Sequence, residues 1–155
     1  MATSCEREIG NYCRDMGRWS GYLPIQQIGE KLPMDTVDCW LKITDTVGLG
    51  SPIFYQIDDQ QSFNQLVECN CDITNFNFQD YTLLMGYYFT IFSSSRVIKQ
   101  EVKLHCEHFE QWLNYWVYVK FDTSEINPYF VQYHAVIPKL PEGLSINHRI
   151  IWYTK

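Results

Sequence analysis

Residues 75–92 read NFNFQDYTLLMGYYFTIF, and this stretch decides the fold class of the chain. A polar, Asn-rich lead-in reaches Asp80 and Tyr81, and the ten residues 83–92 that follow carry no charge. Those ten residues are apolar on both faces of an extended chain, which is typical of a strand in the middle of a sheet. They are too few to span a bilayer as a helix. We therefore predict a loop that leads into a central β-strand.

Outside this stretch, apolar and polar residues alternate with the period of two that indicates half-buried strands. A second informative block, AVIPKLPEG at residues 135–143, is interpreted as a strand that stops at Pro138. The first two predicted strands flank a turn at residues 48–52 and are expected to pair as a hairpin. The predicted strands cover residues 37–43, 53–57, 83–92, 98–106, 113–121, 129–137 and 146–153.

One helix is predicted between the hairpin and the later strands. Asp58 and Asp59 supply acidic N-cap residues, and Phe63, Leu66 and Val67 follow at helical spacing, which indicates a helix over residues 60–68. The order of elements lacks the βαβ rhythm of a parallel sheet. The predicted class is α+β, a mainly antiparallel curved sheet or small sandwich with one short helix packed on it. Residues 1–35 are interpreted as an irregular arm, and residues 36–155 as a single domain.

Composition narrows the classes of partner and compartment. The chain has 155 residues and a net charge of −6, and its lysines and arginines are scattered along the sequence, which disfavours nucleic-acid binding. No transmembrane segment is expected. The pairing of the cysteines stays open between disulfides and buried thiols. They stand at positions 5, 13, 39, 69, 71 and 106.

Catalytic and metal-binding patterns are weak. His105, Cys106, Glu107 and His108 are consecutive, but on a strand they point alternately to opposite faces and do not converge on a metal. A thiol hydrolase built on Cys106 with His134 or His148 is the weakest of the hypotheses. We predict that the protein is not an enzyme and uses no metal or cofactor.

The late strands place large apolar groups where a solvated sheet would carry polar ones. Such residues indicate a covering layer, which the 1–35 arm could supply, or a contact surface. We predict a surface that binds a protein or glycan partner. The alternative is a carrier that encloses a small apolar ligand in a cavity lined by Tyr115, Val117 and Tyr133. The predicted binding residues are Trp112, Trp116, Tyr118, Phe130 and His134.

Two motifs resemble a known group of proteins. The block N-F-x-x-Y-[ST]-L-L-x-G at residues 77–86, followed by AVIPKLP at 135–141, resembles small secreted proteins and lipoproteins of the Bacteroidetes, and is similar to the protease-complex-stabilising lipoprotein family. The resemblance covers residues 50–153 and implies an extracytoplasmic, non-enzymatic domain. Thr3-Ser4-Cys5 resembles the end of a lipobox, so Cys5 is the predicted lipidation site and the only predicted link to a membrane. A cytoplasmic location, with an ordinary N-terminus, is the alternative.

Overall fold

The computed structural model describes residues 18–25, 38–43, 51–70, 76–107 and 110–154. The predicted lipidation site Cys5 and most of the predicted 1–35 arm lie outside these residues. The part of the arm that is described contains a regular strand, at Arg18–Tyr22.

The described residues form nine strands and one helix in three sheets. The four-stranded sheet A has the order β1-β6-β7-β9, the three-stranded sheet B has the order β3-β5-β8, and β2 pairs with β4 in a short ribbon. No helix in the described part of the chain is long and apolar enough to cross a membrane. The elements are β1 Arg18–Tyr22, β2 Cys39–Leu41, β3 Pro52–Ile57, α1 Gln60–Leu66, β4 Val67–Cys69, β5 Tyr81–Phe92, β6 Arg96–Glu107, β7 Glu110–Phe121, β8 Ile126–Pro138 and β9 Ser145–Thr154.

The two informative blocks of the sequence pair with each other. β5 is the central strand of sheet B, and β8 runs antiparallel to it with Leu84 opposite Ala135. β5 is buried on both faces, as its unbroken apolar run predicts. Beyond the strand end, the Lys139 amide donates to the Asp80 carbonyl at 2.8 Å. β8 ends at Pro138, where the sequence indicates, and its place at the edge of sheet B tolerates a residue that has no N–H.

Sheets A and B pack face to face around the main core. Alternate residues of each strand point into this core, in keeping with the period of two. Sheet A contributes mainly β-branched and aromatic side chains, which fill a flat interface well. The buried core residues are Leu84, Val102, Leu104, Leu113, Tyr115, Val117, Val119, Val131, Tyr133, Ala135, Ile137 and Leu140.

A third layer covers the opposite face of sheet B. Helix α1 and the β2–β4 ribbon pack there over Leu83, Met85 and Val136. The Asp59 carboxylate caps α1 by accepting from the Ser62 amide at 2.7 Å, as the sequence predicts. A disulfide joins Cys39 to Cys69 across the ribbon.

The predicted β-rich class, with one short helix and mostly antiparallel pairing, is confirmed. The predicted pairing of the strands is wrong in two places. β2 pairs with β4 and β3 pairs with β5, so residues 37–43 and 53–57 do not form a hairpin. The order of the later strands in the sequence also predicts a meander, but β8 belongs to sheet B, and β9 pairs with β7 in sheet A and runs parallel to it.

Two residues that alternation assigns to the core are exposed. The register moves from Val97 opposite Val119 to Lys99 opposite Tyr118, so Ile98 is an extra residue in a bulge and is 48% exposed. Tyr129, at the start of β8, lies next to a second irregularity in register and is 41% exposed.

Candidate functional site

The face of sheet A that points away from the core is called the outer face below. β7 runs through its middle, and the register aligns its side chains in rows with those of β6 and β9. No described helix or strand forms a layer over this face. Its residues are Tyr22, Arg96, Lys99, Glu101, Lys103, His105, Glu107, Glu110, Trp112, Asn114, Trp116, Tyr118, Lys120, Ser145, Asn147, Arg149, Ile151 and Tyr153.

One end of the outer face is a row of ring and amide groups. The rings of His105 and Trp112 stack at 5.2 Å with an angle of 5° between their planes. The Asn114 side-chain nitrogen lies 3.0 Å from His105 Nε2, and Asn147 Nδ2 donates to Asn114 Oδ1 at 3.3 Å. Burial lowers the pKa of His105, and the charge of Lys103 lowers it further. The imidazole is therefore neutral at pH 7, and its Nε2 accepts a hydrogen bond from the Asn114 amide. The two amides therefore orient the His105 ring, against which Trp112 stacks.

The other end is a charged network around a tyrosine. Tyr118 Oη donates to Glu101 Oε2 at 2.8 Å, and Lys99 forms an ion pair with the same carboxylate. Lys99 Nζ also lies 5.4 Å from the centre of the Tyr118 ring. The hydrogen bond from Lys99 lowers the pKa of Glu101, while burial and the bond to Glu101 raise the pKa of Tyr118 to about 12. Tyr118 and Lys99 thus hold Glu101 as a carboxylate in register with Trp116.

Trp116 lies between these two groups of side chains on the outer face. It lies in register between Glu101 on β6 and Arg149 on β9, and it is half-buried, as is Trp112. The two tryptophans are four positions apart on β7, which places them roughly 13 Å apart along the strand. Two exposed rings lie at the edges of the outer face, where Tyr22 is 65% exposed and Tyr153 is 49% exposed. The outer face therefore presents several aromatic rings among fixed polar groups.

The five predicted binding residues do not share one surface. Trp112, Trp116 and Tyr118 lie together on the outer face, as predicted. Phe130 points to the third layer, where its ring lies 4.9 Å from Phe89 and packs with the second core. The prediction of a single face carrying both tryptophans and Phe130 is wrong, because β7 and β8 belong to different sheets.

His134 also faces away from sheet A. It is aligned with Met85 on β5 and borders a cleft of about 350 Å³ with Asp38, Gln100 and Gln132. Burial lowers the pKa of His134, and the charge of Asp38 partly opposes this effect. Gln100 Nε2 donates to the His134 carbonyl at 3.0 Å, which occupies a backbone acceptor at the edge of sheet B.

Cys106 does not fit the hydrolase hypothesis. Its side chain is 2% exposed at an inward position of β6, and its sulfur is disulfide-bonded. A disulfide sulfur carries no thiolate, and the thiolate is the nucleophile that thiol hydrolysis needs. This hypothesis is therefore wrong. His148 instead accepts or donates a hydrogen bond at 2.9 Å with Tyr133 Oη and stacks on Phe54 at 4.6 Å.

The residues proposed to line a carrier cavity lie in the main core. Tyr115 and Val117 are fully buried, and Tyr133 is 4% exposed. Tyr115 Oη donates to Gln100 Oε1, and the Tyr115 and Tyr133 rings are 6.2 Å apart. These side chains pack against one another and satisfy their hydroxyl groups internally.

A second cleft, of about 420 Å³, lies beside the loop that joins β8 to β9. Asp58 borders it and accepts from Thr82 Oγ1 at 2.6 Å, from Gln56 Nε2 at 2.6 Å and from Lys139 Nζ at 3.2 Å. Its carboxylate is thus occupied by structural partners. Within the described ranges, no three histidine, cysteine or acidic side chains come together as a metal site.

Sequence reasoning did not name the polar residues of the outer face, among them Asn114, Asn147 and Arg149, as part of a site. The alternation of β6 places His105 outward, but nothing in the sequence shows that β9 lies beside β7. The parallel pairing is what brings Asn147 and Arg149 next to Asn114 and Trp116. The comparisons with known proteins found no matching family model, no matching curated protein and no matching solved structure.

Proposed function

We propose that this protein is an extracytoplasmic binding domain and that the outer face of sheet A is its recognition surface. The observation that carries the proposal is the pair of half-buried tryptophans, Trp112 and Trp116, set among amide and carboxylate groups that are already hydrogen-bonded. Aromatic groups of this kind contribute much of the binding energy at recognition surfaces. The partner is a glycan or a protein.

The fixed geometry of the outer face supports binding over a purely structural role. Side chains that are ordered before binding lose less conformational entropy on association. His105 holds Trp112, while Glu101 and Lys99 hold Tyr118. A partner therefore meets rings that are already oriented.

The disulfides support an extracytoplasmic location. Both the Cys39–Cys69 bond and the bonded state of Cys106 require an oxidising compartment to persist. This agrees with the resemblance to envelope lipoproteins, in which a lipid on Cys5 would tether the domain to a membrane. Labelling with a radioactive fatty acid, in the wild type and in Cys5→Ala, tests the tether separately.

The binding proposal is tested with the double variant Trp112→Ala/Trp116→Ala. The purified chain is screened on an oligosaccharide array, and a photo-crosslinking residue at position 153, an exposed place on the outer face that keeps both tryptophans, captures protein partners in cells. The double variant is expected to lose at least tenfold in affinity for whatever binds, since two anchor rings are removed. Tyr129→Ala, which removes an exposed ring outside the outer face, is the matched control. Affinity that survives the double variant and is lost in the control would place the site elsewhere.

The carrier hypothesis receives no support from a specific observation. It requires a curved sheet that encloses a ligand, whereas Tyr115, Val117 and Tyr133 pack into the main core. Mass spectrometry of the intact purified protein, with a search for a co-purified apolar molecule, tests it directly.

A further inference from the structure

We infer that the outer face binds an acidic oligosaccharide, a sugar chain that bears carboxylate or sulfate groups. This inference rests on the proposed binding function and names the chemical class of its ligand. It follows from three features of the face, namely its charge, the spacing of its rings and its hydroxyl-binding groups.

The first feature is an unequal distribution of charge. The chain has a net charge of −6, yet the fold gathers cations on the outer face. Five of the seven lysine and arginine side chains that the structure describes lie on this face, and the other two are Lys42 and Lys139. Only three of the eleven described carboxylates lie there. A cationic face on an acidic protein favours an anionic ligand. The five cations are Arg96, Lys99, Lys103, Lys120 and Arg149.

The second feature is the distance between the tryptophans. One face of a sugar ring carries C–H groups and stacks on an indole, which buries apolar area on both sides. Trp112 and Trp116 lie roughly 13 Å apart along β7. A single sugar ring cannot reach both indoles, so the ligand is an extended oligosaccharide that follows the strand.

The third feature is the set of polar groups between the rings. Asn114 and Asn147 offer amide donors and acceptors, and the Glu101 carboxylate accepts hydrogen bonds from hydroxyl groups. Arg149, exposed beside Trp116, supplies the fork of donors that suits a carboxylate or sulfate. Apolar platforms with a few placed polar groups are the usual composition of a specific ligand site.

The same features disfavour single-stranded nucleic acid. A phosphate on every nucleotide would pass Glu101, which Lys99 and Tyr118 hold as a carboxylate next to Trp116. Glu107 and Glu110 add two further acidic side chains at one end of the face. An acidic sugar chain carries several hydroxyl groups on each ring, so its hydroxyls can lie beside Glu101 while its anions lie beside Arg149 and Lys103.

Isothermal titration calorimetry on the full chain tests the inference with four probes. These are an oligogalacturonate, its methyl-esterified form, a heparin-derived oligosaccharide and oligo(dT). We expect at least one of the two acidic glycans to bind and its affinity to fall with rising salt. If that glycan is the oligogalacturonate, esterification should weaken binding at least tenfold, because it removes the charge and keeps the ring. Trp116→Ala should weaken binding at least tenfold, Arg149→Gln several-fold, and Lys42→Gln, the control cation, not at all.

Each contrary result has a distinct meaning. Equal affinity for the acid and the ester, or no binding of either acidic glycan, overturns the acidic-sugar inference and leaves the recognition surface in place. Binding of oligo(dT) alone overturns the inference in favour of nucleic acid. Binding of an acidic glycan that is lost in Tyr129→Ala and kept in Trp116→Ala overturns the proposed function itself, and the inference with it.

Discussion

At the scale of single residues, the packing around Gly86 explains why the L-L-x-G motif ends in glycine. Gly86 lies opposite Tyr133 in the β5–β8 ladder, and a Cβ atom at this position would overlap the Tyr133 ring and hydroxyl. The tyrosine needs this place because its hydroxyl bonds to His148 in the core. Glycine is required here by the close approach of a side chain, and not by an unusual backbone angle.

We expect Gly86→Ala to lower the free energy of unfolding by about 1 to 3 kcal/mol, the usual cost of overpacking a core. Gly143→Ala is the matched control, because its Cβ meets open space and only the backbone, at φ 74°, is strained. The control should lose about 1 to 2 kcal/mol and keep the near-ultraviolet circular dichroism of the tyrosines. Urea unfolding measures both. A Gly86→Ala protein with wild-type stability and aromatic spectrum would contradict the packing described for Tyr133.

The neighbours Asp58 and Asp59, interpreted together as a helix cap, have separate roles. Asp59 caps α1, whereas Asp58 joins Thr82 on β5 to Lys139 after β8. Thr82 is fully buried and in turn accepts from the Leu140 amide at 3.1 Å. Asp58 therefore fixes the PKLP segment, residues 138–141, against sheet B.

Asp59→Ala should cost about 1 kcal/mol of stability, the usual value of an N-cap. Asp58→Ala should cost more, roughly 1 to 3 kcal/mol, because it leaves the buried Thr82 hydroxyl without its acceptor and removes the ion pair with Lys139, which keeps only its bond to the backbone carbonyl of residue 58. Thermal unfolding of the two variants gives the comparison. Equal and small losses would indicate that water replaces the Asp58 carboxylate.

At the scale of elements, alternation predicts strands well and their partners poorly. The strands near residues 83–92, 113–121 and 146–153 lie where the periodicity places them. Alternation along a strand shows which of its side chains share a face. It carries no information on which other strand lies beside it. The same pattern fits β8 in sheet A or in sheet B. The sequence therefore cannot show that Phe130 and Trp116 lie in different sheets. The Ile98 bulge changes the period locally, and no turn residue marks it.

The β2–β4 ribbon is the element that depends most on a covalent bond. Each of its strands has three residues, and the Cys39–Cys69 disulfide closes a sequence separation of 30 residues. Such short pairs are marginally stable without additional support. The ribbon covers one side of the second core, so its loss would expose apolar side chains of sheet B.

Replacing Cys39 and Cys69 together by serine should lower stability by about 2 to 4 kcal/mol. The double variant removes this bond alone, whereas a reducing agent would also break the disulfide of Cys106. Urea unfolding of the variant without reductant is the measurement. An unchanged midpoint would show that the ribbon is held by packing alone.

At the scale of the whole molecule, His148 links stability to pH. Burial lowers its pKa from 6.5 to about 4, and the groups around it, Tyr133, Tyr115 and Phe54, carry no charge at acid pH. The unfolded chain therefore binds a proton between pH 6.5 and 4 that the folded chain does not. Stability is fully present above pH 6.5 and falls as the pH decreases through this window.

The expected loss from this group is on the order of 2 to 3 kcal/mol between pH 6.5 and 4. His148→Phe should flatten the profile in this range, at the expense of a constant loss from the unpaired Tyr133 hydroxyl. The free energy of unfolding, measured at half-unit pH steps in both proteins, tests this. Parallel profiles would assign the acid sensitivity to other groups, namely the carboxylates or His105 and His134, whose pKa values burial also lowers.

The parallel pairing of β7 and β9 has a consequence for the order in which the molecule is made. A ribosome delivers β7 long before β9, and β8 must first cross to sheet B, so one edge of β7 stays open during synthesis. Contacts between distant parts of a chain form slowly, and open edges invite pairing between molecules. Until β9 has been made and has reached sheet A, any partly folded chain exposes the backbone donors and acceptors along that edge of β7.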